Sequence, residues 1–330
     1  MEQVTEELSD TDVKLKRRKR IIWIIERFIW IVVGVFIIFG IIFVPGFKNW
    51  LNFRNILLHS SILGVLAIGE SLCLLTGNFD LSIGSILAFA GILGALIAKW
   101  KIPSLITIII MLFIGLGAGF LNGILIRKIK LNAFVATLIT MLAWRGTAMG
   151  IVGGRTIWDL PEGLRLLGSG TIKGFPIQIL IMLSLFVFFH IALTQTKFGR
   201  HIYIVGDNEV AAYNSGINTD KVIIIVFTIS GTLSAFAGLL MIGRLNAASP
   251  TYGSDILFDA MSAAIIGGIS LHGGIGNLLM ALGGVILLSI ISNMLNLYGV
   301  SPYWATTVRA LLLLIAVLLD TIKRRLVRYE

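Results

Sequence analysis

Ionisable side chains inside apolar runs are the first residues of this sequence that could do chemistry. Glu70, Arg145, Asp259 and Arg309 each stand well inside an apolar stretch. In hydrocarbon each charge costs about 2.5–3.5 kcal/mol, so each needs a counter-charge, water or a function. For the two arginines we expect a structural ion pair or a side chain that reaches the membrane surface. For Glu70, lining a polar cavity and a structural role are equally open.

Residues 76–85, Thr-Gly-Asn-Phe-Asp-Leu-Ser-Ile-Gly-Ser, form the most informative break between apolar stretches. Asn78, Asp80 or Ser82 would cap the helix that follows, because an acceptor there meets free N–H groups and the positive end of the helix dipole. Alternatively, that helix begins inside a polar cavity, as broken helices of transporters do, and offers hydrogen bonds to a passing solute. The residues alone favour neither interpretation.

The connection over residues 195–221 is long, charged and contains a short helix signal. Asp207 or Asn208 suits the N-cap, and Gly216 suits the left-handed position after the last turn. A helix of about eight residues must dock onto something, because isolated helices shorter than about 12–15 residues are marginal in water. From the residues, docking on its own membrane domain and docking on a soluble partner are equally open.

Known catalytic and metal motifs are absent from the sequence. There is no G-x-x-x-x-G-K-[ST] phosphate loop, no H-E-x-x-H motif and no paired Cys/His cluster. The single cysteine, Cys73, can form no intrachain disulfide. We therefore expect a chain that is not an enzyme, holds no metal, binds no cofactor and does not hydrolyse ATP by itself.

The elements that position these residues are predicted to be membrane helices. Of the 330 residues 57% are hydrophobic and 13% are charged, against about 25% charged in soluble domains. Apolar runs of about 20 residues match a hydrocarbon layer of about 30 Å, which excludes soluble enzymes and nucleic-acid-binding proteins. The fold class is all-α and polytopic, with about ten transmembrane helices. They are predicted over 21–44, 56–76, 81–100, 104–126, 134–152, 176–194, 222–243, 256–271, 276–298 and 303–322.

Basic residues predict the orientation of these helices. With a cytoplasmic N-terminus, sixteen Lys and Arg side chains lie on the inner side and eight on the outer side. Both termini are then cytoplasmic. Residues 1–20 form a charged tail, 21–322 the membrane domain with the inner loop 195–221, and 323–330 a basic tail.

The predicted topology also places spans 2–5 and 7–10 in opposite senses, as in an inverted repeat. Asn122 and Asn293 near the ends of long spans, and residues 134–137 and 303–306 at the starts of the next ones, echo that symmetry. Small residues four apart predict close helix packing. They are Gly115, Gly119 and Gly123 in one set and Ser230, Ser234 and Gly238 in the other.

Four segments resemble the permease subunits of ribose/xylose-type carbohydrate ABC importers, a family with autoinducer-2 and nucleoside branches. They are residues 77–85, 134–138, 196–216 and 259–274, and the resemblance covers about residues 56–320. Three positions depart from the family pattern. Asn78 replaces a usual glycine, Ala133 a common proline, and Leu257 a glutamate often found two positions before Asp259, which leaves the substrate open.

The resemblance implies a subunit of the bacterial cell membrane that works with three partners. These are cytoplasmic ABC ATPase subunits, which use the ATP, an external solute-binding protein, and a second permease copy, identical or related. The segment that touches the ATPase would contain Lys197, Phe198, Gly199, Arg200, Gly206, Asn208, Ala211, Ala212, Ser215 and Gly216. The translocation pathway candidates are Glu70, Asn78, Asp80, Ser82, Asn122, Thr137 and Asp259.

The expected function is a translocation pathway for a small, ribose-like carbohydrate, driven by a separate ATPase. An autoinducer-2 or nucleoside permease is the alternative within the family. The rival class is an ion-coupled secondary transporter in which Glu70 and Asp80 bind protons or sodium. Uphill uptake by the chain alone would distinguish that rival from an ATP-driven importer.

Overall fold

A computed structural model describes residues 28–328 of the chain. Over this range it is largely helical, with thirteen helices and four two-residue strands. The first seven helices are α1 Phe28–Phe43, α2 Trp50–Leu75, α3 Ile83–Lys99, α4 Ser104–Arg127, α5 Ala133–Val152, α6 Glu162–Ser169 and α7 Ile177–Gln195. The other six are α8 Lys197–Asp207, α9 Glu209–Asn214, α10 Thr219–Leu245, α11 Ile256–Ile266, α12 Leu278–Leu297 and α13 Pro302–Arg328.

Six of these helices, α2, α4, α5, α7, α10 and α12, are long and apolar enough to cross a membrane. Four shorter apolar helices are α1, α3, α11 and residues 302–318 of α13. The all-α, polytopic class is therefore confirmed, whereas ten crossings and their orientation stay predictions. The tail 1–20 and the start of the first predicted span lie outside the described residues.

Several predicted boundaries shift. The eighth predicted span, 256–271, is the shorter helix α11, because the chain turns at Gly267 and Gly268, where φ at Gly268 is +91°. Helix α13 continues through Arg328, so it includes most of the predicted basic tail. Helices α6 and α8 and the strands were not predicted, because none of them carries a long apolar run.

The segments that connect the helices lie at two ends of the bundle, as their mutual contacts show. At one end, residues 75–77, 206–207 and 273–274 touch one another. At the other end, β1 (Ile157–Trp158) pairs antiparallel with β4 (Ala247–Ala248). A second hairpin, β2 (Thr171–Ile172) with β3 (Phe175–Pro176), lies in the connection before α7. We call these the inner end and the outer end, after the predicted orientation.

Close backbone packing of α4 on α10 forms the centre of the bundle. A methyl group on Gly115 would overlap the Gly231 carbonyl oxygen, one on Gly119 that of Phe227, and one on Gly123 would lie 2.8 Å from Cα of Ile224. Glycine lets the two backbones touch, which strengthens packing where lipid supplies no hydrophobic force. The predicted small-residue stripe on α4 is thus confirmed as a packing surface.

Candidate functional site

Helix α3 begins inside the bundle rather than at its inner end. After α2 the chain turns at Gly77, where φ is +75°, and runs back along α2. The backbone N–H of Asp80 then donates to Glu70 Oε2 at 3.3 Å, and Ser230 Oγ of α10 donates to Asp80 Oδ2 at 3.0 Å. At about 1.5 Å per residue, Ser230 lies about 16 Å along α10 from its first residue. That distance is about half of the hydrocarbon layer, so the segment is re-entrant.

The Asp80 carboxylate organises a buried polar cluster at this start. Asp80 Oδ1 accepts from the Ser82 backbone N–H at 2.9 Å, from Ser82 Oγ at 2.5 Å and from Asn122 Nδ2 at 3.5 Å. Asn122 Nδ2 also donates to Ser82 Oγ at 2.8 Å. We call Glu70, Asp80, Ser82, Asn122 and Ser230 the Asp80 cluster. All five side chains are fully buried.

The structure therefore brings together four of the predicted pathway residues. Of the three predicted caps, Asp80 is the one whose side chain accepts from a backbone N–H at this start, that of Ser82, which directly precedes α3. Sequence reasoning treated Ser230 only as packing surface, since no local pattern reveals a partner 150 positions away. That the cluster lines a pathway stays a prediction.

Helix α11 starts at the same depth from the opposite side. The connection from β4 enters from the outer end and reaches the start of α3, where a methyl group on Gly84 would overlap the Gly253 carbonyl oxygen. Helix α11 then runs to the inner end, so α3 and α11 leave a common point in opposite directions. Both N-termini, with their positive dipole ends, lie near this point.

Arg145 of α5 links the start of α3 to the segment that precedes α11. Its Nη1 donates to the carbonyl oxygens of Pro250 and Tyr252, the latter at 2.6 Å, and its Nη2 donates to that of Gly84 at 3.2 Å. Within residues 28–328 no carboxylate forms an ion pair with it. An ion pair, one of the two expected arrangements, is therefore not formed by Arg145 among the described residues. Its planar guanidinium binds backbone carbonyls instead.

Arg309 of α13 does form the predicted ion pair. Its Nη1 lies 3.7 Å from Asp259 Oδ2 and 4.0 Å from Asp255 Oδ2. Asp259, another pathway candidate, is thus part of an ion pair that links α11 to α13. Leu257, where the resembling family often has glutamate, is buried in the hydrophobic core.

The last two pathway candidates, Thr137 and Asn78, form their hydrogen bonds with nearby residues of the chain and not with the Asp80 cluster. Thr137 is fully buried and its hydroxyl donates to the Ala133 carbonyl of the same helix at 2.8 Å. Asn78 donates to the Thr76 carbonyl at 3.1 Å. It also lines a cleft of about 1420 Å³ at the inner end, between the end of α4, the start of α5, α9 and the start of α10.

The predicted short helix in the inner loop is confirmed as α9. Asn208 Oδ1 accepts from the Ala211 backbone N–H at 2.9 Å, and φ at Gly216 is +82°. Helix α9 docks on its own membrane domain through Ala212, which is fully buried. Its other face carries Val210 and Tyr213, whose residues are 71% and 69% exposed.

A charged network fixes α9 to two membrane helices. Arg127 at the end of α4 pairs with Glu209 of α9 at 2.5 Å and with Asp220 of α10 at 2.7 Å. Lys128 adds a contact to Asp220 at 3.3 Å. Sequence reasoning used both cations only to predict orientation, because their partners lie more than 80 positions away.

The predicted ATPase-contact residues divide into three groups by their exposure. Gly199, Gly206 and Ala212 face the body of the protein, and a methyl group on Gly206 would overlap the Leu75 carbonyl oxygen. Phe198 packs partly buried against the core. The other six are exposed, namely Lys197, Arg200, Asn208, Ala211, Ser215 and Gly216. Contact with an ATPase stays a prediction for all of them.

Comparison with known proteins shows the family to which this chain belongs. Residues 52–317 match the family described as branched-chain amino acid transport system / permease component. The ribose import permease protein RbsC of Haemophilus influenzae is 38% identical over 84% of this chain and 87% of its own length. The L-arabinose transport system permease protein AraH of Escherichia coli is 34% identical over 90% and 92%.

A third relative is the autoinducer 2 import system permease protein LsrC of Yersinia enterocolitica. It is 34% identical over 88% of this chain and 80% of its own length. No solved structure gives a significant match.

Proposed function

Because the chain belongs to the family of branched-chain amino acid transport system permease components, we propose that it is the membrane subunit of an ATP-driven importer of a ribose-like sugar. It is a multi-pass protein of the bacterial cell membrane and a transporter component, not an enzyme. The observation that carries the proposal is the 38% identity to a ribose import permease over most of both chains.

The proposed partner at the inner end is a cytoplasmic ABC ATPase that uses the ATP, while this chain binds no cofactor. Helix α9 supports this role, because one face is held by Ala212 and the Arg127 network while Val210 and Tyr213 point outward without a partner in the described part of the chain. Exposed aromatic and aliphatic side chains next to charged ones are typical of protein interfaces.

A second permease copy and an external solute-binding protein complete the proposed importer. The exposed face of α5 supports the second copy, since a methyl group on Gly146 or Gly150 would meet nothing within 4 Å. Small residues on an open membrane face allow another helix to approach closely. Ten crossings, both termini in the cytoplasm and an inverted repeat of α2–α5 and α10–α13 belong to the same proposal.

The proposed mechanism is alternating access, in which closure of the ATPase dimer moves α9. Helix α9 directly follows α8, and the end of α8 packs closely on the inner end of the bundle. Gly206, at the end of α8, lies against Leu75, and the Gly274 N–H donates to the Leu75 carbonyl at 3.0 Å. The end of α2 precedes α3, and Gly274 follows α11. A push on α9 would therefore reach both α3 and α11.

The test is uptake by the complex reconstituted in vesicles with the proposed ABC ATPase and solute-binding protein. Ribose should accumulate faster than xylose, arabinose, autoinducer-2 or nucleosides at equal concentration. Faster uptake of any of the others would refute the ribose assignment while leaving the ATP-driven class intact.

Contact with the ATPase is tested by Arg200→Ala, with Lys173→Ala at the outer end as an exposed basic control. The first variant should lower uptake per ATP hydrolysed about tenfold, and the second should not. Equal uptake by both variants would contradict the role of the inner loop.

A further inference from the structure

The Asp80 cluster contains two carboxyl groups and no cation. Glu70 and Asp80 are fully buried about halfway across the membrane domain. In the described part of the chain no Lys, Arg or His forms an ion pair with either of them. Two carboxylates in one buried cluster of low dielectric constant cannot both stay ionised, because each negative charge strongly disfavours the other. One of the two carboxyls must therefore be neutral, or a cation must lie between them.

Hydrogen bonds identify which carboxyl keeps the charge. Asp80 accepts from four donors, namely the Ser82 N–H, Ser82 Oγ, Asn122 Nδ2 and Ser230 Oγ. Glu70 accepts from one, the Asp80 N–H at 3.3 Å. Donors stabilise the ionised form of a carboxyl. Asp80 therefore has the environment of a carboxylate, and Glu70 does not.

Unsatisfied oxygens of the same cluster point to a missing hydrogen donor. Glu70 Oε1 and Asn122 Oδ1 are buried and have no hydrogen-bond partner among the described residues. An unpaired buried acceptor destabilises the folded protein, and an unpaired buried charge does so more strongly. A proton on Glu70 removes the charge and turns an unpaired acceptor into a donor.

We propose that Glu70 binds a proton beside an ionised Asp80, so that the Asp80 cluster carries a single negative charge. The proton comes from solvent and converts the Glu70 carboxylate into a carboxylic acid, with no other bond made or broken. The titratable groups here are Glu70, Asp80 and Cys73 of α2. Helices α3, α4 and α10 contribute only serine and asparagine side chains to the cluster. The proposal does not rest on the transport function.

The infrared spectrum of the full chain purified in an ester-free detergent tests the proton directly. At neutral pH the difference between wild type and Glu70→Gln should contain the C=O band of a protonated carboxylic acid, shifted by exchange into D₂O. No such band should appear in the difference between wild type and Asp259→Asn, because Asp259 is paired with Arg309. Absence of the band from the first difference would overturn the proposal.

Thermal unfolding of the same preparations distinguishes a proton from a metal cation. Glutamine mimics neutral glutamate, so Glu70→Gln should keep the wild-type unfolding midpoint, whereas Asp80→Asn should lower it by several degrees. Replacing N-methylglucamine by sodium should change neither wild type nor Glu70→Gln. Sodium stabilisation of wild type that is lost in Glu70→Gln would assign a sodium site and overturn the proposal.

Discussion

Helices α3 and α11 start at a common point inside the molecule, but their acidic residues are stabilised in different ways. Asp80, before α3, is held by neutral donors from α3, α4 and α10. Asp259, in the first turn of α11, is held by a single cation, Arg309 of α13. The first arrangement joins several helices through one carboxylate. The second links one helix to one neighbour.

This difference indicates how sensitive the starts of α3 and α11 are to substitution. Loss of one donor from the Asp80 cluster leaves the others, whereas loss of Arg309 leaves a buried carboxylate with no counter-charge. Arg309 is 24% exposed at its side chain and Asp259 is 6% exposed, so water relieves only part of that cost. The start of α11 should therefore be the more sensitive of the two to a single substitution.

The largest expected effect is that of Arg309→Ala. Breaking a buried ion pair from one side costs about 3–5 kcal/mol, and partial exposure of the arginine places this case near 3 kcal/mol. The apparent free energy of unfolding in SDS titrations measures it. The double variant Arg309→Ala with Asp259→Asn should recover at least half of the loss. No recovery would mean that lost packing, rather than the unpaired charge, causes the defect.

The contact between the two starts should be the next most sensitive feature. A methyl group on Gly84 would overlap the Gly253 carbonyl oxygen, so Gly84→Ala should cost about 2 kcal/mol through backbone displacement. Gly117→Ala in α4 is the matched control, since open space surrounds that position, and it should change stability by less than about 1 kcal/mol. Equal effects of the two variants would contradict the close approach of the two starts.

Arg145→Lys should have a smaller effect, about 1 kcal/mol, because one ammonium cannot reach all the carbonyls that the guanidinium fork binds. Unfolding in the same SDS titration measures the loss. Arg155→Lys in the exposed outer connection is the control and should be neutral. A neutral Arg145→Lys would show that the guanidinium does not hold the starts together.

The smallest effect is expected in the connection between α11 and α12. Tyr203 of α8 donates to the Gly276 carbonyl at 3.0 Å, and Tyr203→Phe removes only this bond, for about 0.5–1 kcal/mol. Burial raises the pKa of Tyr203, so the hydroxyl stays protonated and the bond persists at moderately alkaline pH. Tyr213→Phe on exposed α9 is the control. A larger loss of stability from Tyr213→Phe than from Tyr203→Phe would contradict the buried hydrogen bond of Tyr203 and the exposed position of Tyr213.

The lengths of the apolar runs predicted most of the fold, because a helix that crosses a membrane needs an apolar run of matching length. The starts of α5, α4 and α12 lie within two residues of their predicted positions. Short elements were missed where contacts rather than composition define them, as with α8, which packs through Ile202 and Val205. The predicted end of α11 at residue 271 was wrong because apolar residues continue past its turn.

The individual residues of the candidate site could be predicted from the sequence, but their spatial arrangement could not. Glu70, Asp80, Ser82 and Asn122 are conspicuous as polar groups in apolar surroundings. Their convergence depends on a re-entrant segment and on pairs 40 to 150 positions apart, for which one sequence carries no local signal. Arg145 shows the same limit, because nothing in its neighbours distinguishes a partner carboxylate from a set of backbone carbonyls.

Concentrative uptake of ribose into vesicles, measured with and without the ATPase, tests the central claim most directly. Ribose should accumulate above its external concentration only when the ATPase, ATP and the binding protein are all present. The chain alone should give none, whatever proton or sodium gradient is imposed. Gradient-driven accumulation by the chain alone would contradict an ATP-driven importer and establish the ion-coupled class instead.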